Sequence, residues 1–143
     1  MNMRSGFTLV ELLIVVLIIA ILATYVGVNI ANAPGKTRKT AALAQIKTIK
    51  AALEMYRADH GRLPTQEQGL KALCERPTMP PVPENYPPDG YLDSRNVPKD
   101  PWGHEYVYVI PGPAGRSYDI ICYGADGQEG GTDDNADLIA SEL

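Results

Sequence analysis

Residues 4–23 read RSGFTLVELLIVVLIIAILA, and this stretch decides the architecture of the chain. From Phe7 to Val28 the only charged residue is Glu11. An apolar helix of about 20 residues is long enough to cross the hydrocarbon core of a bilayer. The stretch therefore predicts a membrane-spanning helix at the N-terminus, and it argues against a purely soluble cytosolic protein.

Three interpretations of this N-terminus compete. A secretory signal peptide would use Arg4 as its basic region and residues 31–33 (Ala-Asn-Ala) as its cleavage site, but its apolar core is usually only about 7–15 residues long. A plain membrane anchor leaves Glu11 unexplained, because an acidic residue at membrane depth costs about 2.5–3.5 kcal/mol on insertion scales. A type IV pilin-like processing site gives a role both to Glu11 and to the residues before it.

The stretch resembles the N-terminus of type IV pilin-like proteins, in which a short basic leader ends in glycine and an apolar helix follows. The resemblance implies that a prepilin peptidase removes residues 1–6 after Gly6 and that the new amine of Phe7 is methylated. Residues 7–30 then form the transmembrane N-terminal helix. In the filament, the carboxylate of Glu11 is expected to neutralise the terminal amine of a neighbouring subunit.

Taken alone, the charge pattern around the span predicts that the residues after it lie in the cytoplasm. Arg4 and the α-amine precede the span, whereas Lys36, Arg38 and Lys39 follow it, and basic residues favour the cytoplasmic side. The processing motif takes precedence over this bias, because it assigns a chemical role to each of its parts. Residues 31–143 are therefore expected to form a periplasmic domain.

The composition of the whole chain indicates one small domain. Its 143 residues include 13 Lys+Arg against 17 Asp+Glu, a net charge of −4, so the basic excess of a nucleic-acid binder is missing. The two cysteines, Cys74 and Cys122, allow one disulfide at most. Either they pair in an oxidising compartment, or Cys122 is a buried apolar thiol in a strand.

Hydrophobic periodicity outlines the elements of this domain. Apolar residues at three- and four-residue steps predict an amphipathic helix over residues 36–59, namely Leu43, Ile46, Ile49, Leu53 and Tyr56. A capping box at residues 65–68 predicts a short helix to about Glu75. Residues 76–89 are rich in proline and predict a loop. Residues 105–110 and 117–123 predict the two strands of a hairpin.

The sequence offers no catalytic constellation. The two histidines, His60 and His104, accompany no nucleophile in a recognisable motif, and they are interpreted as a helix-end residue and a turn residue. Trp102, in the Asp-Pro-Trp-Gly stretch 100–103, is interpreted as an aromatic residue that packs a turn onto the core. A membrane-anchored enzyme is therefore the weakest of the functional alternatives.

Residues 124–137, here called the acidic loop, read GADGQEGGTDDNAD, and no Lys or Arg follows Arg116. Clustered carboxylates among glycines suit a hard, oxygen-seeking cation, because acidic side chains and backbone carbonyls converge only where the chain turns tightly. The spacing does not match an EF-hand. On composition alone, a solvated acidic segment remains the alternative.

Several segments together resemble the major pseudopilin, the G subunit, of bacterial type II secretion systems. They are PTQEQGLKAL at 64–73, PKDPWGHEYVYVIPG at 98–112 and YGADGQEGG at 123–131. The resemblance implies an α+β, type IV pilin-like fold, in which a long N-terminal helix, its first half transmembrane, packs on a small antiparallel β-sheet with a calcium-binding C-terminal loop.

The same resemblance implies a function and a location. The chain is expected to be a non-enzymatic subunit that polymerises into the periplasmic pseudopilus and drives export of folded proteins. Expected partners are further copies of itself, minor pseudopilins, the prepilin peptidase and the inner-membrane assembly platform, with no nucleic acid. Before assembly the chain is expected to be a single-pass inner-membrane protein. A pilin-like subunit for adhesion or DNA uptake is the alternative, although DNA binding favours a basic, aromatic-bearing face.

Residue roles follow from the resemblance as well. For Ca²⁺, the implied ligands are the carboxylates of Asp126, Asp133 and Asp134, the backbone carbonyls of Tyr123 and Gly131, and a further position at Gln128. An ion pair between Glu54 of one subunit and Arg95 of the next is expected to support assembly. The segment after Asp137 has no assigned role.

Overall fold

The computed structural model describes residues 9–31 and 35–143. The chain divides into two compact units, of which the first ends at Pro34 and the second begins at Gly35. The predicted leader 1–6, its cleavage site at Gly6 and Phe7, and the junction at 32–34 lie outside the described residues.

The first unit contains helix α1, Leu9–Ala31. It has an acidic residue, Glu11, in its first turn, where a carboxylate suits the helix dipole. The large apolar side chains from Leu9 to Ile21 are 46–80% exposed. Within the described part of the chain, no helix combines the length and apolarity needed to cross a membrane. The transmembrane segment 7–30 is therefore not confirmed and stays a prediction.

The second unit is built on helix α2, Gly35–His60. Its one apolar face is buried, as the periodicity predicts, except that Leu43 is only partly buried. The buried residues of this face are Ala42, Ile46, Ile49, Ala52, Leu53 and Tyr56. The helix ends where Gly61, with φ +67°, turns the backbone out of the helical path, a conformation that glycine adopts without steric cost.

Three strands form an antiparallel sheet in the order β1-β2-β3: β1 is Val107–Val109, β2 is Asp119–Cys122 and β3 is Leu138–Ile139. Val107 pairs with Ile121 in the β1–β2 hairpin, and Ile121 pairs with Ile139 on its other side. The predicted hairpin is thus confirmed with shorter strands. The sequence did not predict β3, and it assigned the segment after Asp137 no role.

The core of the second unit lies between α2 and the sheet. Ile46, Leu53, Leu73, Ile120 and Cys122 are fully buried members of one apolar cluster. A helix covering one face of an antiparallel sheet is an α+β arrangement. The predicted α+β class is confirmed for this unit.

The segment after α2 keeps its predicted cap but not its predicted helix. The amide of Thr65 donates to Oε1 of Gln68 at 3.1 Å, and the amide of Gln68 donates to Oγ1 of Thr65 at 3.2 Å. Gly69, at φ +59°, then interrupts the helical path, and only a 3₁₀ helix at Leu70–Leu73 follows. The buried side chain of Gln68 also donates to the carbonyls of Met79 and Pro81, so it anchors the irregular loop that the prolines predict.

Candidate functional site

The acidic loop connects the end of β2 to the start of β3, and the pairing of those strands holds its two ends together. Within it the backbone crosses itself closely. A Cβ at Gly124 would lie 2.7 Å from the carbonyl carbon of Asn135, and one at Gly131 would lie 2.6 Å from the oxygen of the same carbonyl. Both glycines have positive φ. The glycines of the sequence are therefore what allow the loop to close.

Hydrogen bonds within the loop define its conformation. The amide of Ala125 donates to the carbonyl of Asp134 at 2.9 Å. Oδ1 of Asp126 accepts from the amide of Gln128 at 3.1 Å. Oδ2 of Asp137 accepts from the amide of Gly130 at 2.9 Å. The first of these bonds ties the beginning of the loop to its last part, and the third ties the middle of the loop to its end.

The predicted cation ligands lie in this loop, but their side chains do not form a ready site. Asp126, Asp133 and Asp134 are exposed. Among the described residues, no three side chains of His, Cys, Asp or Glu are grouped so that they could hold a metal ion. The carboxylate of Asp134 lies against Gly35 at the start of α2, within the space that a side chain at Gly35 would need.

One oxygen in the loop points to an unmet interaction. Oδ1 of Asp137 is buried and has no hydrogen-bond partner among the described residues. A buried polar atom without a hydrogen-bond partner costs free energy. A carboxylate oxygen is also the kind of ligand that a hard cation prefers. The predicted ligand set omitted Asp137, because nothing in the sequence marked which acid would have a buried oxygen.

The buried carboxylate of Asp100 holds the turn at residues 100–104. Asp100 has a fully buried side chain. Its Oδ1 accepts from the amides of Trp102 at 3.0 Å and His104 at 2.8 Å. This closes the turn at residues 100–104, where Trp102 packs against the core, as predicted. Oδ2 of Asp100 accepts from Sγ of Cys122 at 3.2 Å.

Both cysteines are free. The disulfide alternative is therefore absent from the structure, in which Cys122 is buried in β2 and Cys74 is partly buried. The other alternative needs a correction as well, because the thiol of Cys122 donates to Asp100 and is not merely an apolar filler. Burial raises the pKa of Cys122 to about 12, so this thiol stays protonated at neutral pH.

A second buried carboxylate fixes the segment that follows the loop. Asp119 on β2 is almost completely buried. Its Oδ2 accepts from Oγ of Ser141 at 2.6 Å, and its Oδ1 accepts from the amide of Ser141 at 3.2 Å. The segment after Asp137 is therefore part of the fold. The sequence did not reveal this, because Asp119 and Ser141 are 22 residues apart.

Two of the predicted assembly residues, Glu54 and Arg95, lie on the surface of the second unit. Oε1 of Glu54 accepts from the hydroxyl of Tyr118 at 3.1 Å, and its Oε2 lies 3.9 Å from Nη1 of Arg57. Arg95 is exposed in the irregular segment before the turn at Asp100. The predicted pair would join two copies, so it stays a prediction.

Comparisons with known proteins cover almost the whole chain. The family model described as type II secretion system, protein G, matches residues 29–141. The model described as the prokaryotic N-terminal methylation motif matches residues 1–26.

Similar proteins and structures agree with these models. The type II secretion system core protein G of Pseudomonas aeruginosa is 45% identical over 94% of this chain and 93% of its own length. The protein of that name from Vibrio cholerae is 43% identical over 96% and 92%. The crystal structure of the major pseudopilin from the type 2 secretion system of enterohaemorrhagic Escherichia coli matches with a TM-score of 0.65 and 37% identity, over 80% of this chain and 96% of that one. The chain belongs to the type II secretion system protein G family.

Proposed function

We propose that this chain is a structural, non-enzymatic subunit that polymerises into the pseudopilus of a type II secretion system and so drives export of folded proteins. The observation that carries the proposal is the continuous match to the family over residues 29–141, preceded by the methylation motif at 1–26. The names of the relatives agree with it. Expected partners are further copies, minor pseudopilins, the prepilin peptidase and the inner-membrane assembly platform.

Processing and anchoring belong to the same proposal. The peptidase would remove residues 1–6, and Phe7 would carry the methylated amine. Residues 7–30 would hold the subunit in the inner membrane before assembly, with residues 31–143 in the periplasm. The methylation motif supports this arrangement, as does the exposed apolar surface of α1 from Leu9 to Ile21.

A calcium ion in the acidic loop is part of the proposal. Its oxygens would come from Asp126, Asp133, Asp134 and Gln128 and from the carbonyls of Tyr123 and Gly131. The chemistry of this donor set supports the ion, and so does the buried, unpartnered Oδ1 of Asp137. Ca²⁺ accepts roughly 6–8 oxygens with flexible geometry, whereas Mg²⁺ demands a tighter octahedron. When bound, the ion would supply positive charge that offsets the repulsion among these carboxylates.

The Glu54–Arg95 contact is proposed as one link between subunits. It is supported by opposite charge and by the exposure of both residues on the second unit. Within its own chain, Glu54 lies beside Arg57, so the pair would add to an existing surface network. Reversing both charges should restore the assembly that either single reversal weakens, and failure of that rescue would exclude the pair.

Complementation tests the proposed function directly. The chain is expressed in a bacterium whose own gene for the core protein G has been deleted, and secretion of a folded enzyme is measured. Restored secretion is expected. Stable, processed protein that restores no secretion, while the host's own subunit does so from the same vector, would contradict the proposal.

A further inference from the structure

We infer that His104 is a positioning residue for the acidic loop, and that it fixes the backbone on both sides of Asp126. This inference rests on the proposed function only where it concerns the ion. The contact itself is made by protein groups alone, and it joins two segments that are 20 residues apart in sequence.

The first contact is a hydrogen bond to the start of the loop. Nδ1 of His104 lies 3.2 Å from the carbonyl oxygen of Gly124. A backbone carbonyl only accepts, so Nδ1 must carry the proton and donate it. Oδ2 of Asp100 lies 3.7 Å from the same Nδ1, and a carboxylate there favours the same tautomer.

The second contact is a packing contact three residues further along. A Cβ at Gly127 would lie 3.0 Å from Nε2 of His104 and 3.1 Å from its Cε1 and Cδ2. The imidazole ring therefore borders the space that a side chain at Gly127 would occupy. Gly127 has φ +66°, so a side chain there would strain the backbone and press on the ring of His104.

The ring is itself held in place. The amide of His104 donates to Oδ1 of the buried Asp100 at 2.8 Å, and Asp100 also accepts from Cys122 in β2. His104 thus connects the turn at residues 124–127 to the buried core. Asp126 is at the centre of that turn, and its carboxylate accepts from the amide of Gln128.

Hydrogen exchange of the full chain in detergent with chelator tests the contact without any ion. His104→Leu removes the donor, and the amides of Ala125 and Gln128 should exchange about fivefold faster, the effect of losing one hydrogen bond. His104→Asn places an amide donor where Nδ1 was, so it should recover part of the protection. His60→Leu, the same change at the other histidine, should leave these two amides unchanged.

Gly127→Ala provides a second variant that leaves His104 in place. Its methyl group should displace the ring and speed exchange at Ala125 as His104→Leu does. Unchanged exchange in both variants would overturn the inference, and so would equal exchange in His104→Leu and His104→Asn.

Calcium titration of the same proteins separates the two claims. Weaker Ca²⁺ binding in His104→Leu, partly restored in His104→Asn, is the result expected if both claims hold. Faster exchange in chelator with no Ca²⁺ binding by the unaltered chain would overturn the proposed ion and support the positioning role. Unchanged exchange with normal Ca²⁺ binding would do the reverse.

Discussion

Helices α1 and α2 are similar in length but bury their apolar residues in different ways. Along α2, Ile46 and Leu53 are fully buried against the sheet of the same chain. Along α1, Ile18 and Leu17 are about half exposed, although this helix is far more apolar. An exposed apolar surface of this extent marks contact with a membrane or with other proteins. The second unit completes its own core, whereas α1 leaves its apolar side chains exposed.

The largest effect is expected from removing the single charge of α1. Glu11→Ala should abolish filaments and secretion, because the carboxylate is expected to neutralise the terminal amine of a neighbouring subunit in an apolar setting. The thermal melt of the second unit should stay unchanged. Electron microscopy of sheared filaments measures the first effect and calorimetry the second.

Glu67→Ala is the matched control, since it removes an exposed carboxylate from the second unit. It should leave filaments intact. Normal filaments made by Glu11→Ala would contradict the charge-pairing role.

A pair of truncations compares the two apolar surfaces directly. Ile46→Ala should reduce the free energy of unfolding by about 2–5 kcal/mol, because it leaves a cavity in a packed core. Ile18→Ala should change it by less than about 0.5 kcal/mol, because the side chain lies outside that core. Denaturant titration of the full chain in detergent, followed by the fluorescence of Trp102, gives both values. Equal losses would mean that α1 is part of the same folded core.

Calcium is expected to stabilise the second unit through the acidic loop, which has few buried groups of its own. If the ion binds only the folded loop, Ca²⁺ at a hundredfold excess over its dissociation constant should stabilise the unit by about 2.7 kcal/mol. Mg²⁺ should stabilise it less. Thermal melts with Ca²⁺, Mg²⁺ and chelator, repeated in Asp126→Ala, measure this. Identical melts in all three conditions would leave a solvated acidic loop.

A pH-dependent effect is expected at the buried thiol of β2. The pKa of Cys122 is raised by burial from its ordinary 9.0 to about 12. Its contribution to stability is complete below pH 9, and it is lost as the pH rises toward 12, because the unfolded chain releases the proton first. Cys122→Ser keeps a donor for Asp100 but does not titrate in this range. Its free energy of unfolding should therefore fall less between pH 9 and 12 than that of the unaltered chain, and an equal fall would contradict the assignment.

The parts of the fold that could be predicted from the sequence are those governed by local pattern. The buried face of α2 follows from the spacing of residues such as Ile46 and Ile49, and the β1–β2 hairpin follows from two short apolar runs. Strand β3 could not be found this way, because its two residues become a strand only through pairing with β2.

In the candidate site, too, local sequence features could be predicted and contacts between distant residues could not. Its composition marked the acidic loop, but the contacts that hold the loop join distant positions. His104 contacts Gly124 across 20 residues, and Asp119 binds Ser141 across 22. No local pattern encodes such contacts, because they arise when the strands pair. Sequence could propose Asp126 as a ligand but could not identify Asp137 as the acid with a buried, unpartnered oxygen.

The mass of the subunit in purified filaments tests whether α1 packs against other copies of this chain after processing. Filaments sheared from cells that contain the assembly machinery are dissolved, and the intact mass of the subunit is measured. The account predicts a chain that begins at Phe7 with one added methyl group. Filaments lacking this chain, or a secreted chain that begins at Pro34, would contradict it.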